Sequence, residues 1–151
     1  VGALESALEQ AVAYANERVQ FGKPIGKNQA VQQSLAQLAG ETAAARMATL
    51  IAIGSAPDAA ARDIGATVFD TAVAKVRAGE AASKATSIAH QVHGAIGFTY
   101  EHSLHYATRR LWSWRAEFGS DAQWAERLGQ AAIEARAAGF WAGLTERALI
   151  V

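Results

Sequence analysis

The first segment that could do chemistry is the glycine-rich stretch between Arg18 and Gln29, which gathers hydrogen-bond donors around a turn. The planar guanidinium of Arg18 is suited to binding two phosphate oxygens at once. Gly22, Pro24 and Gly26 predict a compact loop. Gln29 then stands at the start of the next helix, where free backbone N–H groups attract anions. The stretch indicates a phosphate site, although an ordinary turn between helices has a similar composition.

A second donor-rich segment runs from Gln91 to Phe98. Gly94 and Gly97 allow backbone N–H groups to approach a ligand closely, because neither residue carries a side chain. The amide of Gln91 can hydrogen-bond a flanking amide or the edge of an adenine ring. A pair of glycines between helices is also a common plain turn, so this segment alone does not decide between a ligand site and a connection.

The four histidines form two pairs with a spacing of three residues, which metal ligands can use. The pairs are His90 with His93 and His102 with His105. No Glu-x-x-His pattern accompanies them, and they flank a glycine break. We therefore predict polar surface or helix-capping histidines and no metal site. The tryptophans Trp112, Trp114 and Trp124 are expected in the core or at an interface.

Composition limits the class of protein. The chain has 151 residues, with 14 basic and 14 acidic side chains and no cysteine. One domain fits this length, and no disulfide framework or thiolate metal site is available. The balanced charge gives no basic stripe for nucleic acid and no polybasic cluster for a membrane surface. We expect a cytoplasmic protein that binds neither nucleic acid nor a membrane.

Helical periodicity dominates the chain, and no window alternates as a half-buried strand does. The predicted helices run from the start to Arg18, from the N-cap Asn28 to Ile53, from beyond the Gly54–Asp58 break to His93, from Glu101 to Glu117, and from a Ser120/Gln123 capping box to near the end. This pattern predicts an all-α fold, an antiparallel up-and-down bundle of four long helices and a shorter one.

Apolar residues at helical spacing predict which helix faces are buried. They are Leu4, Leu8, Ala11 and Ala15 on helix one; Val31, Leu35, Leu38, Met47, Leu50 and Ile51 on helix two; and Phe69, Val73 and Val76 on helix three.

Taken together and in order, the two donor-rich segments resemble the two nucleotide-contacting segments of the acyl-CoA dehydrogenase C-terminal domain. Arg18-Val19-Gln20-Phe21-Gly22 resembles the family's Arg-x-x-Phe-Gly segment, with Gln29 following as in the family. Gln91 to Phe98 resembles the family's Gln-x-x-Gly-Gly-x-Gly-Phe signature. One residue departs from it, because Ala95 stands where the family has Gly or Ser.

The resemblance implies FAD as cofactor. It places Arg18, Phe21 and Gln29 at the FAD diphosphate and adenine half. It places the other site residues, Gln91, Gly94, Ala95 and Gly97, against the FAD of a neighbouring subunit. The two segments would then meet a cofactor across a subunit interface, so the resemblance implies a dimer or tetramer.

The implied reaction is α,β-dehydrogenation of an acyl-CoA thioester, with a carboxylate as the base that removes the α-proton. An ungapped comparison from Gln91 places the family's Tyr-Glu-Gly-Thr base segment on Glu117 to Ser120. Phe118 then occupies the base position, and Glu117 stands one residue early, about 100° away on a helix. Glu117 is the catalytic candidate in this chain. Other branches of the family have the base on the helix equivalent to helix one, upstream of Val1.

The resemblance leaves three functional hypotheses. The first is an FAD-dependent acyl-CoA dehydrogenase of fatty acid metabolism that passes electrons to an electron-transfer-flavoprotein-type acceptor. The second is a non-catalytic subunit paired with a paralogue, and the third is a cofactor-free helical scaffold. Residues 1–151 match one domain of the family, without its N-terminal helical and middle β domains. We therefore expect this chain alone to be inactive and its unpartnered apolar faces to be exposed or used in self-association.

Overall fold

The computed structural model describes residues 1–56 and 64–146. The Gly54–Asp58 break lies partly outside these residues, as does the predicted beginning of helix three. The helices are α1 (Gly2–Glu17), α2 (Gln29–Gly54), α3 (Ile64–His93), α4 (Leu104–Arg115) and α5 (Asp121–Thr145), with β1 (Val19–Gln20), β2 (Lys23–Pro24) and short 3₁₀ turns at Ile25–Lys27 and Gly94–Phe98. The all-α bundle with one shorter helix, α4, is confirmed.

The helix α3 is the centre of the fold, since it packs against each of the other four helices. The helices α1 and α4 also pack together, and the Ser103 hydroxyl donates to the Gln10 amide oxygen at 3.0 Å where the middle of α1 meets the start of α4. At the other end of this pair, Leu4 and Trp114 line one cavity. The two helices are therefore antiparallel, and the C-terminal ends of α1 and α3 lie together beside the start of α4.

The core of the bundle is built largely from alanine. Its buried apolar residues are Leu4, Ala7, Ala11, Ala15, Leu38, Ala45, Ala81, Ala82, Ala85, Ala89, Val92, Leu104, Ala107 and Leu111. Small side chains let helix backbones approach closely, and interdigitated leucines fill the remaining space. The predicted faces of α1 and α3 and the first half of α2 contribute to the buried or half-buried interior. By contrast, Met47, Leu50 and Ile51 of α2 are exposed.

The predicted helix caps are present. The Asn28 side chain accepts from the Ala30 backbone N–H at 3.0 Å at the start of α2. Ser120 and Gln123 form the reciprocal capping box that begins α5. Both caps satisfy N–H groups that have no partner within their own helix. The helix α4 differs from its prediction, because it begins at Leu104 and ends at Arg115 rather than running from Glu101 to Glu117.

Two further features depart from the sequence reading. The two-stranded antiparallel ribbon of β1 and β2, with Gln20 opposite Lys23, was not predicted. Strands of two residues are too short to produce an alternating pattern. The helix α5, predicted as continuous, is broken at Arg136, whose φ of 54° and ψ of 173° are not helical. None of the helices in the described part of the chain is long and apolar enough to cross a membrane.

Candidate functional site

The hairpin that follows α1 presents the first donor segment. Phe21 and Gly22 join β1 to β2 with positive φ angles of 52° and 78°. A two-residue turn with positive φ at both positions matches the twist of the strands it joins. Glycine at the second position adopts positive φ without a steric penalty. The backbone N–H of Ile25 donates to the Arg18 carbonyl at 2.9 Å, which closes the base of the hairpin.

The loop after the hairpin is folded back on α1. A Cβ atom at Gly26 would lie 3.0 Å from the Ala15 carbonyl oxygen, so only glycine fits this approach without displacement. The Gln32 side-chain amide donates to the Gly26 carbonyl at 2.9 Å and ties the loop to α2. These contacts hold the loop that follows the hairpin against α1 and α2. They thereby fix the backbone position of Arg18 at the end of α1.

The second donor segment continues α3 as a 3₁₀ turn. Gly94 begins the turn with a φ of 62°, a left-handed conformation that favours glycine. Gly97 is buried, and a Cβ atom there would lie 2.9 Å from the His93 Cβ and 3.3 Å from Leu104. Gly94 therefore permits the change of direction at the end of α3, and Gly97 permits the turn to pack on the bundle.

The two segments meet in one groove of a single chain. The groove has a volume of about 430 Å³, within the range of small-molecule sites. Its walls are Tyr14, Arg18, Gln20, Ile25, Gln91, Val92, His93, Gly94, Ala95 and Ile96. The resemblance predicts that the two segments bind cofactor across a subunit interface. The fold brings both segments of one chain to a common surface.

Of the seven residues predicted to bind cofactor, four line this groove: Arg18, Gln91, Gly94 and Ala95. The other three lie elsewhere. Phe21 is fully exposed at the tip of the hairpin, Gln29 is exposed at the start of α2, and Gly97 is buried in the bundle. These three residues belong to the same sequence motifs as the four that line the groove, but the path of the backbone places them outside it.

The polar groups of the groove are available to a ligand. The Arg18 side chain is exposed and makes no hydrogen bond or ion pair with any residue in the ranges 1–56 and 64–146. Gln20 and Gln91 are exposed beside it. A guanidinium fork with two amide side chains can bind an anionic oxygen cluster and a neighbouring polar ring edge at the same time.

Sequence reasoning missed several residues of the groove, notably Tyr14 and His93. Tyr14 precedes Arg18 by four positions, so helical geometry places the two on one face of α1 and could have revealed it. His93 was expected on the surface or at a cap, but only 3% of its area is exposed. His102 does cap a helix, because its Nδ1 accepts from the Leu104 backbone N–H at 3.1 Å. No group of metal ligands is formed by the described residues.

Comparison with known proteins identifies the family. Residues 1–149 match the family described as Acyl-CoA dehydrogenase, C-terminal domain. The chain belongs to this family. It is 43% identical over 106 residues to the glutaryl-CoA dehydrogenase of Desulfococcus multivorans, which covers 69% of this chain and 26% of that protein. It is 39% identical over 110 residues to the acyl-CoA dehydrogenase IpdE2 of Mycobacterium tuberculosis, which covers 73% of this chain and 31% of that protein.

Solved structures agree with this assignment. A glutaryl-coenzyme A dehydrogenase in complex with glutaryl-CoA superimposes with a TM-score of 0.76 and 35% identity, covering 91% of this chain and 34% of that one. The ChsE4–ChsE5 complex of Mycobacterium tuberculosis gives a TM-score of 0.78 and 27% identity, covering 90% of this chain and 36% of that one. The chain thus spans about a quarter to a third of the length of the relatives it matches.

The segment aligned with the family's catalytic base lies in the turn after α4. Because α4 ends at Arg115, Glu117 is not on the helix, and a helical rotation of one residue does not describe its direction. Its side chain is exposed, and its carbonyl accepts from the Lys75 ammonium at 2.7 Å. Phe118, at the base position itself, is 92% exposed with a φ of 56°.

The tryptophans of this C-terminal domain lie near the same turn. Trp112 and Trp114 are each about half exposed, so neither belongs to the core. The Trp124 indole N–H donates to the Phe118 carbonyl at 3.1 Å, and Lys75 binds the preceding carbonyl, so the turn is held from two sides. An exposed aromatic side chain in a left-handed conformation is therefore presented on a fixed backbone.

Proposed function

We propose that this chain is the FAD-binding and oligomerisation domain of an FAD-dependent acyl-CoA dehydrogenase that dehydrogenates an acyl-CoA thioester at its α,β positions. The observation that supports this most directly is the meeting of Arg18 and Gln91 in one groove, with the guanidinium free of partners in the described chain. Such a fork is suited to a dinucleotide's diphosphate, and an amide edge is suited to its adenine.

In this proposal the residues of the groove bind and orient the cofactor. The Arg18 guanidinium holds the diphosphate, and the Gln91 amide holds the adenine half. The backbone at Gly94 and Ala95 comes close to the ligand, because Gly94 has no side chain and Ala95 only a methyl group. FAD, when bound, accepts the hydride that leaves the β-carbon of the thioester.

The distance along α4 separates this groove from Glu117. The 12 residues of α4 span about 18 Å at the usual helical rise. The groove lies beside the start of α4, and the turn containing Glu117 follows its end. Following the family resemblance, we propose that this groove holds the FAD of a neighbouring chain and that Glu117 lies near a different flavin, so that two chains contribute to each site. A dimer or tetramer then follows from the proposal.

The proposal is tested by FAD binding to the full-length protein, stripped of flavin and titrated with FAD. Arg18→Ala removes a charged hydrogen-bond donor and is expected to weaken FAD binding about ten- to a hundred-fold. Arg18→Lys keeps the positive charge but lacks the forked pair of donors, so its FAD affinity should lie between those of the wild type and Arg18→Ala. Lys27→Ala is the matched control, because Lys27 is an exposed cation outside the groove. A wild-type protein that neither purifies yellow nor takes up FAD would refute the proposal.

A second candidate function is a non-catalytic subunit of a heteromeric dehydrogenase. Two observations favour it: the structural match to a complex of two differently named chains, ChsE4 and ChsE5, and Phe118 at the base position. Such a subunit would bind FAD and show turnover only when co-expressed with its paralogue. Turnover of an acyl-CoA by the purified homo-oligomer, with an electron-transfer-flavoprotein-type acceptor, would exclude this candidate.

A further inference from the structure

Three aromatic rings pack together at the point where the two walls of the groove meet. The Tyr14 and His93 ring centroids lie 4.7 Å apart at an interplanar angle of 25°. His102 meets the edge of both, with centroids 4.5 Å from His93 and 6.2 Å from Tyr14. These rings, Tyr14, His93 and His102, are called the ring cluster below. They belong to α1, to α3 and to the segment before α4.

The ring cluster is positioned to set the width of the groove. Tyr14 precedes Arg18 by one helical turn, and His93 follows Gln91 by two residues on α3. Tyr14 and His93 themselves line the groove. His102 is tied to the start of α4 through the bond from Leu104, so its ring cannot move independently of that helix. The distance between the two ligand-bearing walls therefore depends on the contact of Tyr14 with His93.

The protonation of His93 is constrained by its surroundings. Its Nδ1 lies 2.7 Å from the Ala89 carbonyl oxygen, so this nitrogen carries a proton and donates. Its Nε2 is buried and has no hydrogen-bond partner in the described part of the chain. A second proton on Nε2 would place an unsolvated cation in the stack, which is costly without a partner.

We propose that the ring cluster is a positioning device for the dinucleotide: Tyr14 and His93 hold Arg18 and Gln91 at the spacing that binds one FAD, and they do so only while His93 is uncharged. This inference rests on the proposed function, because it concerns the same groove. The ring cluster does not itself contact the reacting atoms.

The surroundings of His93 favour its neutral form, as the inference requires. Burial lowers the pKa of His93 below its ordinary value, and the neighbouring His102 and His90 lower it further, while the bond to Ala89 opposes them. The titratable groups that face it are Tyr14 from α1, His90 on its own helix and His102 before α4. Arg18 lines the same groove. With its pKa lowered, His93 is neutral near pH 7, and acid adds a buried cation whose Nε2 has no hydrogen-bond partner among the described residues.

The first test measures FAD affinity of full-length variants by flavin fluorescence. Tyr14→Leu and His93→Ala remove the stack, and each should weaken FAD binding about ten-fold, because misplacing a binding group by a small distance loses its contribution. Thr42→Ala is the matched control, since Thr42 is also buried with an unpartnered polar atom but lies on α2 away from the groove. The control should bind FAD within about two-fold of the wild type. Variants that lose the stack and bind FAD as tightly as the wild type would overturn the inference.

The second test measures how FAD affinity depends on pH. A purely structural role of His93 would not make the affinity depend on its protonation. His93→Phe keeps a ring for the stack but cannot be protonated, so it should bind FAD more tightly than His93→Ala at pH 7.5. Because the pKa of His93 is lowered, wild-type affinity should hold at the ordinary histidine value of about 6.5 and fall only at more acidic pH, whereas His93→Phe should keep its affinity over the same range. An acid midpoint shared by the wild type and His93→Phe would overturn the inference. A wild type that binds no FAD at any pH would refute the proposed function and this inference with it.

Discussion

Gly97 shows how a glycine of a predicted ligand motif can be required by packing. It is predicted at the cofactor, and the structure places it within the 3₁₀ turn, buried against His93 and Leu104. Gly94, three residues earlier, lines the groove and takes a positive φ. The two glycines of the signature therefore have separate physical requirements, one for backbone direction and one for close approach.

Replacing Gly97 with alanine should destabilise the bundle before it affects any ligand. Its Cβ would lie 2.9 Å from the Cβ of His93, on a helix backbone that cannot move freely. Overpacking of this kind costs about 1–3 kcal/mol, which urea unfolding followed by circular dichroism would measure. Gly40→Ala is the control, because nothing lies within 4 Å of its Cβ position on α2. That change should stabilise by about 0.5–1 kcal/mol. Equal stability of the two variants would contradict this assignment.

The sequence predicted which segments form the groove but not all the side chains that face it. Arg18 and Gln91 could be identified because their types suit phosphate and adenine, and both line the groove. Phe21 and Gln29 belong to the first motif but do not line the groove. Phe21 lies in the two-residue hairpin turn, and Gln29 is the first residue of α2. His93 could not be recognised as buried, because its stacking partner Tyr14 comes from a distant part of the sequence.

At the scale of elements, an arginine adds a third set of contacts across the turn from α4 to α5. The Arg115 guanidinium donates to both carboxylate oxygens of Asp121, at 3.1 and 2.6 Å, and to the Ser83 hydroxyl at 2.7 Å. Gly79 of α3 faces the same carboxylate so closely that a Cβ there would collide with Asp121. Three helices therefore meet at this ion pair, and it fixes the turn that presents Glu117 and Phe118.

Asp121→Asn should lower stability at neutral pH and reduce its dependence on acid. Hydrogen bonds from Arg115 hold the pKa of Asp121 below its ordinary value. The stabilisation is therefore complete above the ordinary aspartate range and is lost as the pH falls through the lowered value. A charged hydrogen bond of this kind contributes about 1.5–3 kcal/mol, measurable by urea unfolding at a series of pH values. Glu134→Gln, exposed on α5, is the control. An acid profile unchanged in Asp121→Asn would contradict the role of the pair.

Helix boundaries were predictable wherever a local cap sets them. Asn28 and the Ser120 capping box fixed the starts of α2 and α5 within the sequence itself. The end of α4 was placed too late, because the Lys75 bond to the Glu117 carbonyl comes from α3 and cannot be read locally. The break of α5 at Arg136 has no proline or glycine at that position to signal it.

At the scale of the whole molecule, the second half of α2 is an exposed apolar face. Met47, Leu50 and Ile51, whose spacing predicted burial, are exposed there, and so is Ile53. Contiguous apolar surface of this kind is typical of an interaction surface. The helix α5, which has no buried residue in its described part, leaves further surface open.

We expect the protein to be a dimer or a larger assembly at micromolar concentration, with the apolar face of α2 as one contact. Met47→Lys combined with Ile51→Glu introduces charge at two positions one turn apart on that face, and desolvating these charges should weaken association. Light scattering over a dilution series should show a lower mass for the double variant than for the wild type. Gln37→Lys, an exposed change on the same helix, should keep the wild-type mass. A monomeric wild type would show the assembly prediction to be wrong, and an unchanged mass in the double variant would remove α2 from the interface.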